Sequence, residues 1–498
     1  MRIYYKCKKL DFESGGESIM VMREKEAENH GIMPGDRVVL KWSRNKSLIA
    51  IVQFTNSKVD YGEIGLFKEI WEKRKVDDED IVGISIYSRP ESVKAINKKL
   101  VGKKLNYKEI YSIIADISSD RLGVIETTYY VASSFVRPYD NQELYYLVKA
   151  MAECGDKFNL RVPAVDKHSI GGIPGNRTTM IVIPTIASLG LYIPKTSSRA
   201  ITAPSGTADT MEVLAPVKLE LDKIKQVIKK TKACLAWGGA INMAPADDKI
   251  IKVSKPLALE PYDKMIVSIL AKHVAVGADY LVIDLPYGST AKVHDLKTAK
   301  KIAKKFVDIS KRFKIKTEVV ISRAEQPVGS GIGPALEARD VLRVLQRHKL
   351  RPLDLEKKSV NLAGRLLELK KFCRKGQGKI IAYEQIKNGQ AWKKMQQIIT
   401  AQGGKADIKA DEVALGVLNY EIHAPKAGRV KMIDNKAIKE VSVNLGAPQE
   451  KLSGIHMHCR LRDRIKKGQK LFTLYAAKQD RLDLGILSAK NNLVVKVG

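Results

Sequence analysis

The spacing of apolar and polar residues changes character several times along the chain. Over residues 1–86, short β-branched runs at Arg37 to Lys41 and Leu48 to Phe54 stand between turn formers such as Met33-Pro-Gly-Asp36. This predicts a β-rich module, read as an assembly domain or lid. Over residues 87–158 apolar residues recur at helical spacing, with helices expected at Glu91 to Lys99, Tyr107 to Ser118, Val124 to Phe135 and Asn141 to Cys154. Asn106 with Glu109 forms a capping-box pattern, and Asp140 is a predicted N-cap. Over residues 159–345, strand-like runs alternate with helices. The expected strands are Val162 to Val165, Leu191 to Lys195, Tyr280 to Leu285 and Thr317 to Ser322. Residues 346–412 read as a helical continuation, and residues 413–498 as a small α+β module. The predicted class is therefore α/β: a doubly wound mixed sheet with a helical bundle, an N-terminal β-rich module and a C-terminal α+β module.

Two glycine-containing loops stand out in the α/β region. The first is Asp166-Lys-His-Ser-Ile-Gly-Gly-Ile-Pro-Gly-Asn-Arg-Thr-Thr179, placed between an expected strand and an apolar helix from Met180. The second, Thr196-Ser-Ser-Arg-Ala-Ile-Thr-Ala-Pro-Ser-Gly-Thr-Ala-Asp209, repeats the arrangement. Free backbone N–H groups at a helix start attract anions. Lys167 adds an ammonium, and Ser169, Thr178 and Thr179 add hydroxyls. Two such loops in succession point to one phosphate or two.

Charge agrees with an anionic ligand. There are 87 Lys+Arg against 55 Asp+Glu, a net charge of +32. The lysines are dispersed over helix faces, so solvation accounts for many of them. A basic RNA-binding protein is the alternative from a different class, yet aromatics are only 6% of the chain and no aromatic RNA-binding pattern occurs. The five cysteines are far apart and form no C-x-x-C pair, which fits a reducing cytoplasm. With no apolar leader and no run of 18 apolar residues, a cytoplasmic protein off the membrane is expected.

Several motifs have plainer readings. Gly329-Ser-Gly-Ile-Gly333 has the wrong spacing for a dinucleotide loop and reads as a turn. No G-x-x-x-x-G-K-[ST] occurs. His456-Met-His-Cys459 alternates its faces on a strand and reads as packing rather than a metal cluster. Ala424-Pro-Lys-Ala-Gly-Arg-Val430 is similar to biotinyl-type hairpins but lacks the acceptor Met-Lys-Met. Ser268 and Lys272 share a helix face at i,i+4.

Taken together, Asp166-Lys-His-Ser-Ile-Gly-Gly172, Ser197-Ser-Arg199, Ser205-Gly-Thr-Ala-Asp209, Ser268-Ile-Leu-Ala-Lys272, Gln326-Pro-Val-Gly329, Ala335-Leu-Glu-Ala-Arg339 and Ala401-Gln-Gly-Gly404 resemble the thymidine/pyrimidine nucleoside phosphorylase family over roughly residues 90 to 480. The N-terminal module and the run from Arg199 to Glu212 are similar to its archaeal branch. That branch converts nucleoside 5′-monophosphates and phosphate to free base and ribose 1,5-bisphosphate. The resemblance implies AMP as substrate, with CMP and UMP as further candidates. It implies inorganic phosphate as co-substrate, no other cofactor, no metal, and a homodimer or larger homo-oligomer. A pyrimidine nucleoside phosphorylase is the alternative within the family.

Carried over by motif, Lys167, Ser169, Thr178 and Ser197 would hold the attacking phosphate, with Thr207 shared between phosphate and nucleotide. Gly172, Ser198, Arg199, Ala200, Ile201, Thr202, Ala203, Ser268 and Lys292 would contact the nucleotide. Arg199, Thr202, Ser205 and Lys292 are the candidates for its 5′-phosphate. Glu260, in Leu259-Glu-Pro261, stands where the branch has an acidic proton donor, and His168 is the second candidate acid. Glu260 is equally placed to act as a helix-start carboxylate. The Arg that pyrimidine phosphorylases use against the base falls at Val253, which weakens the pyrimidine reading.

Overall fold

In a computed structural model the described residues are 3–43, 46–158, 162–200, 203–256 and 262–498. The chain divides into two compact units, one of residues 1–103 with 115–133, the other of 104–114 with 134–498.

The first unit contains a closed barrel of six strands, in the order Ile3–Lys9, Glu63–Leu66, Ile19–Met22, Lys46–Phe54, Arg37–Ser43 and Ile81–Ile86. Two of its pairings are parallel, Ile3–Lys9 with Glu63–Leu66 and Ile19–Met22 with Lys46–Phe54. Alternate residues such as Tyr5 and Cys7, or Val38 and Leu40, point into its core. The expected strands at Arg37 and Leu48 are present. Of the other four, Ile3–Lys9 and Glu63–Leu66 carry charged residues among the apolar ones, Ile19–Met22 is a four-residue apolar run and Ile81–Ile86 is interrupted by Gly83, so none shows a clean alternation.

The second unit is built on parallel strands. Lys316–Arg323, Ala278–Tyr287 and Ala164–Ser169 form one sheet in that order. Ile193–Ser197 pairs in parallel with Ala233–Trp237. A parallel bridge from Ala164 to Tyr192 joins the two sets. Where the sequence suggests a mixed sheet, every described pairing between these strands is parallel. The strand Ala233–Trp237 is absent from the sequence reading, because Ala233-Cys-Leu-Ala-Trp237 has none of the β-branched residues that mark a strand. The helix Pro245–Ser254 is likewise absent from the sequence reading, and the expected helical continuation over residues 346–412 includes two helices, Gly378–Lys387 and Gln390–Gln402, parted at Gly389.

The helix Thr178–Ser188 is buried on all sides from Thr178 to Ala187, which explains its unbroken apolar sequence. Asn106 and Glu109 exchange backbone hydrogen bonds as a capping box, and so do Asp140 and Glu143. At the C-terminal end, antiparallel strands pair in the order Gly331–Ile332, Gly454–Met457, Lys470–Ala476 and Leu418–His423. The helices Asn435–Asn444 and Gln479–Asn491 accompany them. The imidazoles of His456 and His458 meet edge-on, and His458 pairs with Thr473. Among the described residues no group of three His, Cys, Asp or Glu is placed to hold a metal, and no helix is long and apolar enough to cross a membrane.

Candidate active site

Because the strands of the second unit run in parallel, Ser169, Ser197 and Tyr287 bring their carboxyl ends to one edge, the usual position for a ligand in such sheets. A cleft of about 800 Å³ opens there. Both glycine loops line it.

The first loop is organised from below. Lys167 is fully buried, and its Nζ donates to Thr178 Oγ1 at 2.6 Å, to Thr179 Oγ1 at 3.1 Å and to Ser169 Oγ. Ser169 Oγ in turn donates to Asp284 Oδ2 at 3.0 Å. Asn176 Nδ2 and Lys358 Nζ reach the same carboxylate oxygen, at 3.1 and 3.0 Å. Burial would raise the pKa of Asp284, but Lys358 and Lys167 outweigh it and hold the carboxyl below its ordinary range. Burial pushes the Lys167 ammonium down to about 7, against the opposing pull of Asp284. Ser169 and Thr179 reach the cleft wall; Lys167 and Thr178 do not line it and lie behind those hydroxyls. Gly172 adopts φ +107°, and a Cβ there would come 2.9 Å from the Lys292 side chain.

The second loop is gathered by a carboxylate. Asp209 Oδ2 accepts the backbone N–H groups of Ala200 and Gly206, at 2.7 and 2.8 Å. Gly206 crosses the start of the loop so closely that a Cβ would meet Arg199 C and Ala200 N at 2.6 Å. Arg199 lines the cleft, but its guanidinium is committed to Glu212 at 2.7 and 2.8 Å and to Asp209 at 3.1 Å, and it stacks over Trp237. Ser205 Oγ is paired with Thr210. Both side chains are thus engaged with protein partners while lining the cleft. Thr207 Oγ1 accepts from Arg177, whose guanidinium also contacts buried Glu337. Burial pushes the Glu337 carboxyl up to about 6, in spite of Arg177. Ser197 Oγ is buried on the wall and, among the described residues, has no protein partner. An orphan hydroxyl of this kind is suited to an anion's oxygen.

On the far wall, Ser268 Oγ and Lys272 Nζ both donate to Asp247 Oδ2, at 2.6 and 2.7 Å. His168 and His273 also line the cleft. Burial first, then Lys195 and His273, hold His168 well below the ordinary imidazole range, so this ring is neutral at pH 7. Ser198, Ala200, Ala203 and Lys292 complete the expected lining, joined by Lys195, Lys255 and Lys436. Ile201, Thr202 and Glu260 lie outside the described residues.

Sequence reasoning misses Asp284, Asp247, Lys195, His273 and Lys358. One signal is present: Asp284 is a lone charge inside Leu281-Val-Ile-Asp-Leu285, an otherwise apolar strand whose carboxylate must find partners.

Known proteins share both the sequence and the fold. Residues 161–392 match the glycosyl transferase family, a/b domain, and residues 429–496 match the pyrimidine nucleoside phosphorylase C-terminal domain. The chain is 42% identical over 493 residues to the AMP phosphorylase of Pyrococcus furiosus, covering 99% of this chain and 97% of that one. To the AMP phosphorylase of Methanocaldococcus jannaschii it is 38% identical, covering 99% and 98%. Among solved structures, anthranilate phosphoribosyltransferase from Thermus thermophilus superposes with a TM-score of 0.51 at 16% identity, covering 62% of this chain and 99% of that one, a likeness of fold.

Proposed function

The chain belongs to the AMP phosphorylase family, within the thymidine/pyrimidine nucleoside phosphorylases, and on that premise we propose that it transfers the ribose 5-phosphate of AMP from adenine to inorganic phosphate. The products are adenine and ribose 1,5-bisphosphate, and CMP and UMP are further candidate substrates. The observation that carries this reading is the likeness to AMP phosphorylases over nearly the whole of both chains. The cleft's chemistry supports it.

Phosphorolysis passes through an oxocarbenium-like state at C1′, so a modest nucleophile must be positioned rather than strongly activated. In this reading the attacking phosphate sits against Ser169, Thr179 and the orphan Ser197 hydroxyl. Lys167 supplies positive field from one layer behind. The nucleotide lies across Ser198–Ala200, with Lys292 and Lys436 as the proposed cations at its 5′-phosphate. The departing base needs a proton. A neutral His168 is poorly suited to give one, which leaves Glu260 as the proposed donor. The same reading sets the enzyme in the cytoplasm, in nucleotide breakdown, as a homo-oligomer.

A pyrimidine nucleoside phosphorylase remains the second reading, and Val253 speaks against it, since an apolar side chain cannot replace a guanidinium against the base. The test is incubation with phosphate and AMP, CMP, UMP, adenosine or thymidine, with free base and ribose 1,5-bisphosphate measured. The expected result is adenine from AMP and far less from adenosine. Base released from thymidine but from no monophosphate would overturn the proposal.

A further inference from the structure

Beneath the cleft three side chains stand in series that the phosphate-binding role does not use. Asp166 is buried, with Lys195 Nζ at 3.3 Å and the Lys167 backbone N–H at 2.6 Å from its Oδ1. His273 is buried, and its Nδ1 lies 2.7 Å from Asp166 Oδ2, close but not aligned as a straight hydrogen bond. His273 Nε2 lies 3.3 Å from His168 Nδ1, with the two rings edge-on at 86°.

The hydrogens along this line follow from electrostatics. A ring nitrogen beside a carboxylate carries its hydrogen, because a lone pair there would face negative charge. His273 Nδ1 is therefore the protonated nitrogen, and in a neutral ring Nε2 then holds the lone pair. His168 Nδ1 must supply the hydrogen between the rings. That leaves His168 Nε2 with its lone pair, and no protein group among the described residues is paired with it. His168 is on the cleft wall.

We propose that Asp166 and His273 are a positioning pair that fixes His168 in its Nδ1–H form, so that Nε2 accepts a hydrogen bond from a hydroxyl of the bound substrates. The hydroxyl belongs to the ribose or to hydrogen phosphate. The substrates are those of the phosphorolysis reading, on which this part rests.

The test is ¹⁵N spectroscopy of the full-length protein with ring-labelled histidine, assigned through H168Q and H273Q. The free protein should show His168 with a protonated Nδ1 and a pyridine-type Nε2. Doubly protonated His168, or hydrogen on Nε2, overturns the proposal. AMP alone shifting Nε2 identifies the ribose as donor, and phosphate alone identifies hydrogen phosphate. No shift with either overturns the acceptor role. H273L, which removes the acceptor for Nδ1, should disturb this form and lower kcat roughly 10- to 100-fold, as when a ring loses its orienting partner. H273Q, which can accept from His168 and donate to Asp166, should recover most of that loss. An altered ring in H273L with unchanged kcat would also overturn the pair. AMP turnover failing while the Nδ1–H form persists would remove the proposed function and leave the pair standing.

Discussion

The two loops at the sheet edge face the same cleft and are built on opposite principles. The first is held by a buried cation: Lys167 draws Ser169, Thr178 and Thr179 together, and Asp284 balances it from behind. The second is held by a buried anion: Asp209 draws in the N–H groups of Ala200 and Gly206. A central ammonium orients hydroxyl oxygens toward itself and sends a positive field outward, which suits an incoming phosphate. A central carboxylate ties the backbone down and fixes a shape, which suits a larger substrate laid across it. The contrast explains how Arg199 can lie on the cleft wall of the second loop and still serve that loop's own carboxylates.

Removing the cation should have the largest effect. Lys167→Met is expected to lower kcat/KM roughly 10²- to 10³-fold, the range for losing one preorganised charge-stabilising donor. Full activity in this variant would break the distinction between the loops. The same residue gives a pH test. Burial sets its ammonium near 7, so the charged form dominates below that pH and the neutral amine above it. Inhibition by sulfate, which does not itself titrate in this range, should weaken as pH rises from about 6 to about 8, either side of that value. The dependence should vanish in Lys167→Met, and equal slopes in both proteins would remove Lys167 as its origin.

Asp209→Ala should come next. It leaves two loop N–H groups without their acceptor and removes one partner of Arg199, whose pair with Glu212 stays, at a cost of roughly 1–3 kcal/mol per buried unsatisfied group. A lower Tm with a raised KM for AMP and a nearly unchanged KM for phosphate would sharpen the comparison; a loss confined to phosphate would reverse it. Ser197→Ala should be the smallest. Its hydroxyl has no protein partner to lose among the described residues, so Tm should hold while KM for phosphate rises about tenfold, one charge-assisted hydrogen bond. A drop in Tm without a change in KM would make Ser197 a structural residue.

Much of this site was legible because its residues are contiguous. Strand, glycine loop and helix start follow one another at 164–179 and again at 193–211, so the motif and its surroundings arrive together. Its supporting charges were not legible. Asp284, Asp247 and Lys358 reach the site from distant segments, and pairing between such remote parts of the chain leaves no local pattern. The barrel was partly visible for a related reason: its parallel pairings join strands that are not neighbours in sequence, and in its other strands the alternation is broken, by lysines in Ile3–Lys9 and by Gly83 in Ile81–Ile86, or confined to four residues. The strand Ala233–Trp237 was hidden because Ala-Cys-Leu-Ala-Trp contains no β-branched residue to mark it as a strand.

Gly206 has a bearing on redesign. Its α-carbon lies against the backbone of Arg199 and Ala200, with no room for a methyl group. Any attempt to reshape the cleft wall by randomising residues 198–207 therefore inherits one position that must stay fixed. Libraries that vary position 206 along with the rest would be filled mainly with misfolded loops, whatever their other substitutions. The accessible diversity lies at the side chains on either side of that crossing point.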